Sequence, residues 1–312
     1  MRFVLAVLLA SVCFGTTGTA QALGPEAGSA SVGAARILIG GGALGLVALL
    51  LHLAGRPRGA TGTSAAPTPG VAPRHPLPSW LLVVIGALGV VAYQPAFFAG
   101  TEANGVAVGT VVALGSAPVI TGALDWMLRR RYPGHRWLVA TAIATSGVAI
   151  LAAATDAGHA AADPLGLLAS LGAGASYAVY TLAAKALLDR GWTPTGSMGA
   201  LFGLAAVASV PLLAATDASW LATGPGLAMA LWLGLVATTL AYVLFGIGLR
   251  GLAPATVSTL TLAEPLTAGI LGVAVLGETL TTGGIVGLAV LAAGIVVLAT
   301  AGVQRAPRPV AA

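Results

Sequence analysis

Residues 253–276 read APATVSTLTLAEPLTAGILGVAVL, an apolar run with one carboxylate, Glu264, near its middle and a proline, Pro265, beside it. Crossing the hydrocarbon core of a bilayer as a helix takes about 20 mostly apolar residues. This run has that length. Eight more precede it: Phe3–Ala22, Val32–Leu53, Pro78–Phe98, Val106–Leu128, Trp137–Ala154, Leu165–Leu188, Ser197–Ala215 and Leu227–Leu249. One follows, Gly283–Ala301. Ala, Gly and Val dominate these segments and would make poor helices in water. Lipid offers the backbone no partners, so each segment must satisfy its own hydrogen bonds as a helix.

The charges between the runs orient them. Of fourteen basic residues, twelve fall in alternate gaps or at the ends: Arg2, Arg56, Arg58, Arg74, Arg129, Arg130, Arg131, Arg136, Arg190, Arg250, Arg305 and Arg308. The intervening gaps hold Glu26, Glu102, Asp156, Asp163, Asp217 and Glu278. An excess of Lys and Arg marks cytoplasmic loops, which predicts a multi-pass protein of the plasma (inner) membrane with both termini in the cytoplasm. The chain is 57% hydrophobic and only 7% charged, with a mean hydropathy of +0.96 and a pI near 10.0. That basicity sits in short loops beside apolar spans. It reads as orientation signal and headgroup contact rather than nucleic-acid binding. The lone Cys13 forms no intrachain disulfide or cysteine metal cluster. His52, His75, His135 and His159 have no partner at metal-ligand spacing, so neither a metal nor a cofactor is expected.

Most gaps are short. The exception, residues 54–77, is rich in Pro, Gly, Ser and Thr and reads as a flexible cytoplasmic linker. Arg2, the first apolar run and the small residues Thr16–Ala22 also resemble a cleaved signal peptide. A retained first helix is favoured because the chain repeats. Sliding it on itself by about 147 residues sets Ser116-Ala117-Pro118 on Ala263-Glu264-Pro265, Leu124 on Leu271 and Gly147 on Gly294. The expected architecture is an all-α integral membrane protein of ten transmembrane helices, arranged as two inverted five-helix repeats. The repeats would span residues 1–154 and 155–304, with a cytoplasmic tail at 305–312. Five is odd, so the second half enters the membrane the other way up, an arrangement typical of alternating-access carriers.

Residues 92–124, AYQPAFFAGTEANGVAVGTVVALGSAPVITGAL, and 248–281, GLRGLAPATVSTLTLAEPLTAGILGVAVLGETLT, resemble the two EamA-type repeats of the drug/metabolite transporter superfamily. The resemblance implies a ten-helix secondary transporter, usually an exporter of amino acids, other metabolites or drugs. One departure is visible: Gly277-Glu278 aligns in the first half with Arg130-Arg131.

Glu264 is the sharpest candidate for a role in transport. A charge at mid-bilayer costs roughly 2.5–3.5 kcal/mol on insertion scales and belongs in the bundle interior. It would bind a proton or a cationic group, or else bridge to a neighbouring helix. Lys185 either snorkels to the inner interface or holds an anionic group in an inner vestibule. Arg36 would anchor in the interface, pair with Glu26 or touch substrate. Gln21, Tyr93, Gln94, Tyr177, Tyr180, Thr238, Thr239 and Tyr242 put polar tips on several helices, suited to a water-accessible cavity. Pro95 would bend the third helix, and Asp125 would be neutralised by the arginines after it. Trp80, Trp137 and Trp220 read as interfacial belt, and Gly41/Gly45, Gly105/Gly109 and Gly283/Gly287 as close helix contacts.

There is no Gly-x-x-x-x-Gly-Lys-Ser/Thr segment for a nucleotide and no nucleophile–base pair for an enzyme. The expected partners are the lipid bilayer and a small-molecule substrate, with proton coupling through Glu264 and a monomeric or homodimeric assembly. A channel or a non-transporting scaffold or sensor is the alternative.

Overall fold

The computed structural model describes residues 1–54, 77–130, 132–154 and 163–300. The linker, Arg131, residues 155–162 and the tail after Thr300 lie outside the described residues. Ten helices among them are long and apolar enough to cross a membrane. They are α1 (Arg2–Leu23), α2 (Ser29–Ala54), α3 (Ser79–Gly105), α4 (Val108–Arg129), α5 (His135–Ala153), α6 (Pro164–Asp189), α7 (Pro194–Ala214), α8 (Gly224–Gly251), α9 (Pro254–Leu276) and α10 (Thr282–Thr300).

Local chemistry sets the starts of several. Asp163 and Thr193 each accept a hydrogen bond from the backbone N–H three residues on and are followed by proline, at α6 and α7. Such a cap satisfies a donor that the first helical turn leaves free, and proline at the first position loses nothing. The largest departure from the sequence reading is the end of α3, which runs on past Phe98 through Thr101, Glu102 and Asn104. Asn104 explains it: its side-chain amide donates to the Asp163 carbonyl (3.1 Å) and its oxygen accepts from the Asp163 N–H (2.6 Å). Gly105, at φ 79°, ψ 155°, then turns the chain into α4. A side chain is disfavoured at that φ. Pro95 and Pro118 lie inside helical stretches, and the non-helical residue between Ser79 and Arg129 is Gly105. Pro95 therefore makes no break in α3.

The two halves are related by a pseudo-two-fold axis. α1 packs against α8 and α9 of the second half, and its counterpart α6 packs against α3 and α4 of the first. The pairs α2–α7 and α5–α10 are self-complementary. At α5–α10 the match holds residue by residue. Gly147 lies against Gly287 and Leu291, and Gly294 lies against Ala140 and Ala144. These are the same contacts displaced by the repeat. At α2–α7, Gly41 and Gly45 meet Gly199 and Gly203 in the same reciprocal way. With no hydrophobic drive between helices in lipid, such small residues let backbones approach and gain dispersion contact. The first helix is thus part of the core. Val7 and Ala10 are fully buried, and Gly15 sits against the Glu264 carbonyl.

Two of the three tryptophans assigned to the interface are instead buried. Trp80 is 66% exposed, but Trp137 is 7% and Trp220 6% exposed. Each spends its indole N–H inside the protein. Trp137 donates to the Ala255 carbonyl (2.9 Å) and Thr259 (3.0 Å), and Trp220 donates to Ser31 (2.9 Å). Position near a span end suggested the belt; an available partner on a neighbouring helix decided otherwise.

The α5–α10 contact leaves no room for a methyl group: a Cβ on Gly294 would lie 2.6 Å from the Ala144 nitrogen. Gly147→Ala and Gly294→Ala are each expected to destabilise the protein by about 1–3 kcal/mol, lowering the thermal midpoint in detergent. Gly42→Ala, which would meet nothing within 4 Å, should leave it unchanged or raise it.

Candidate functional site: a cavity between the halves

Two irregular helices meet at the centre of the bundle. α9 breaks at Leu262–Ala263, where the N–H groups of these residues bond three residues back instead of four (3.2 and 3.0 Å). Pro265 supplies no N–H to rejoin the segments, and a new helical stretch, Glu264–Leu276, starts at the carboxylate. Glu264 therefore stands at the positive end of a helix dipole, midway along the span. In α8, residues Trp232–Leu240 form a π-helix, a form with i→i+5 bonds that is rare and concentrated at functional sites.

Arg36 of α2 reaches across to this π segment. Its Nε donates to Thr238 Oγ1 (2.9 Å) and one terminal nitrogen donates to the Ala237 carbonyl (2.8 Å). It neither pairs with Glu26 nor lies at the interface. Arg36 and Glu264 both line one cavity, of about 70 Å³, with Tyr93, Tyr177, Tyr180 and Tyr242. Among the described residues Glu264 has no hydrogen bond and no ion pair within 4 Å.

The aromatic wall is continuous. Tyr242 stacks edge-on to Phe14 (5.0 Å between centroids) and lies 3.9 Å from Phe202. Tyr177 and Tyr180 meet at 5.1 Å. Their hydroxyls are tied down: Tyr180 shares a hydrogen bond with Tyr242 (3.2 Å), and Tyr177 donates to Thr261 (3.2 Å). Ala117, the repeat counterpart of Glu264, also faces the cavity. The fold is two-fold, and the chemistry at its centre is one-sided.

Six of the nine candidate residues are thus brought together, and three are not. Gln94 is half-buried on α3 beside Gly33. Gln21 is exposed near the far end of α1. Lys185 is only 5% exposed, so it does not snorkel, and it is absent from the cavity wall. It donates to the Leu249 carbonyl at the end of α8 (2.9 Å) and lies 3.4 Å from Asp189. Asp189 meets Arg129 at 2.8 Å, and Arg129 meets Asp125 at 2.7 Å. This chain ties α4, α6 and α8 together at the end of the bundle that carries Arg2, Arg190 and Arg250. Phe14, Ser258 and Thr261 line the cavity and were not anticipated, and Phe202 packs on Tyr242 without lining it. Ser258 and Thr261 precede Glu264 at three-residue spacing, the one signal that they share its face.

Ten helices long and apolar enough to cross a membrane, with a cavity holding Arg36 and Glu264 at the junction of two inverted halves, make this a multi-pass membrane protein. The comparisons with known proteins agree. Residues 164–300 match the model of the EamA-like transporter family. The chain is 38% identical over 303 residues to the "Uncharacterized transporter YwfM" of Bacillus subtilis (strain 168), covering 96% of this chain and 94% of that one. A solved crystal structure shares the fold at a TM-score of 0.75, with 18% identity, over 96% of this chain and 99% of its own. The chain belongs to the EamA-like transporter family of the drug/metabolite transporter superfamily; it is a transporter and not an enzyme.

Arg129 neutralises Asp125, whose side chain is 8% exposed. Removing one partner of a buried pair strands the other charge, at a cost of about 3–5 kcal/mol. Arg129→Ala is expected to lower the thermal midpoint in detergent strongly, and Asp125→Asn combined with Arg129→Met to recover most of the loss.

Proposed function

We propose that this protein is a secondary exporter of small amphoteric metabolites, amino acids foremost, working by alternating access between its two halves. The observation that carries the reading is the pairing in one cavity of a held cation, Arg36, with a carboxyl that has no protein partner, Glu264. A zwitterion answers both: its carboxylate would meet Arg36 and its ammonium would meet Glu264. The tyrosine and phenylalanine wall would take an apolar or aromatic side chain, and would favour an ammonium near a ring face. In the absence of substrate a proton on Glu264 would serve in place of the ammonium, which supplies a means of proton coupling.

The cavity has room for a few waters, so loading would require the halves to part. The polar chain from Lys185 to Asp125 would close one end while the other opens. The basic loops support a placement in the plasma membrane with both termini in the cytoplasm, which puts that chain on the cytoplasmic side. The halves would correspond to residues 1–154 and 155–304. Because one chain holds both, a monomer would suffice.

Cells overexpressing the wild type, Glu264→Gln and an empty vector test the reading by the metabolites they release. At least one amino acid is expected outside at about tenfold excess with wild type, and near the empty-vector level with Glu264→Gln. Equal release by the variant would remove Glu264 from the mechanism, and no enrichment of any amphoteric compound would remove the exporter reading.

A further inference from the structure

Hydroxyls inside this bundle bond backbone carbonyls at regular spacing. Ser11, Thr121, Ser209, Thr259 and Thr261 each reach four residues back. Thr238 and Thr239 do not. They donate to carbonyls five residues back, Thr238 to Leu233 (2.8 Å) and Thr239 to Gly234 (3.1 Å). This is the register of the π segment in which both sit. Thr239 shares its single proton between Gly234 and the Gly40 carbonyl of α2 (2.9 Å), so the wide turn is pinned to the helix that carries Arg36.

The consequence falls on Arg36. Thr238 is fully buried, and because its proton is committed to Leu233, its oxygen faces Nε of Arg36 as an acceptor. The neighbouring Ala237 carbonyl takes Nη2. Two of the three guanidinium nitrogens are thereby held by the π segment. Nη1 has no protein partner among the described residues. A guanidinium is planar, so fixing Nε and Nη2 fixes the direction of Nη1. We propose that Thr238 is a positioning residue: locked in the π register, it aims the free Nη1 of Arg36 into the cavity and so sets the protein's selectivity for a substrate carboxylate. This rests on the reading in which Arg36 receives that carboxylate.

Calorimetric binding of L-phenylalanine and L-phenylalaninamide to the purified full chain tests it. The amide keeps the ring and the amine and loses only the carboxylate charge. Wild type is expected to bind the acid at least about tenfold more tightly, the worth of a charge-assisted hydrogen bond. In Thr238→Val, the same shape without the hydroxyl, acid binding should weaken by about tenfold while amide binding holds, so the preference collapses. Thr238→Ser should restore it. If the valine variant does not fold, Thr238→Ala is expected to show the same collapse.

Equal weakening of both ligands would make Thr238 a packing residue and overturn the proposal. An undiminished preference in the valine variant would overturn it too, while leaving Arg36 as the carboxylate site. A wild type without preference would overturn both the proposal and the reading on which it rests.

Discussion

Hydrocarbon offers no hydrogen-bond partner to a peptide group, and the rest of this structure follows from that constraint. Irregular backbone within the spans turns its freed polar groups inward, although the π segment also shows Trp232, Leu235 and Leu240 on the outer surface. The break in α9 at Leu262–Ala263 and the π segment of α8 both lie at the centre, and the groups they free are taken up locally. Arg36 caps the Ala237 carbonyl, and Thr239 serves both Gly40 and Gly234. The same irregularities place Glu264 and Arg36 on one cavity. Backbone whose freed groups find partners inside the protein becomes the means of building a polar site there.

Charge within the spans obeys the same rule. Arg36 is held by α8, Lys185 by the Leu249 carbonyl and Asp189, and Asp125 by Arg129. Among the described residues, Glu264 alone of these intramembrane charges lacks a protein partner. A buried carboxyl is costly without a proton or a counter-charge, which supports the role proposed for Glu264. The chain of Lys185, Asp189, Arg129 and Asp125 is different in kind: its members satisfy one another and join three helix ends.

The pseudo-two-fold supplies the scaffold, while the departures from it supply the chemistry. Glycine and alanine recur at symmetric contacts such as Gly147 and Gly294, because two backbones must meet there in both halves. At the centre the counterparts differ: Ala117 stands where Glu264 stands. Exchange of α1 and α6 between the halves means that each half's first helix packs on the other half. These exchanged helices contribute Phe14, Tyr177 and Tyr180 to the cavity wall.

Hydropathy, charge alternation and the repeated Gly and Pro positions by themselves determined the ten spans and their inversion, and residues 92–124 and 248–281 carried the family resemblance. Lipid turns each apolar run into a helix whatever its neighbours do, so those features are readable one segment at a time. Glu264 was legible for the same reason, because a carboxylate in hydrocarbon must have an interior place. Only the tertiary structure decided which polar tips share that place. Tyr93, Tyr177, Tyr180, Tyr242 and Arg36 reach it; Gln21 and Gln94 do not, although their spans are no less polar. A lone sequence carries no record of which helix face meets which neighbour. It also left open whether Trp137 met headgroups or the Ala255 carbonyl, and whether Lys185 reached water or Leu249. The π register at Trp232–Leu240 was hidden altogether: Thr and Leu suit an α-helix equally well, and it is the contacts with α2 that accompany the wider turn.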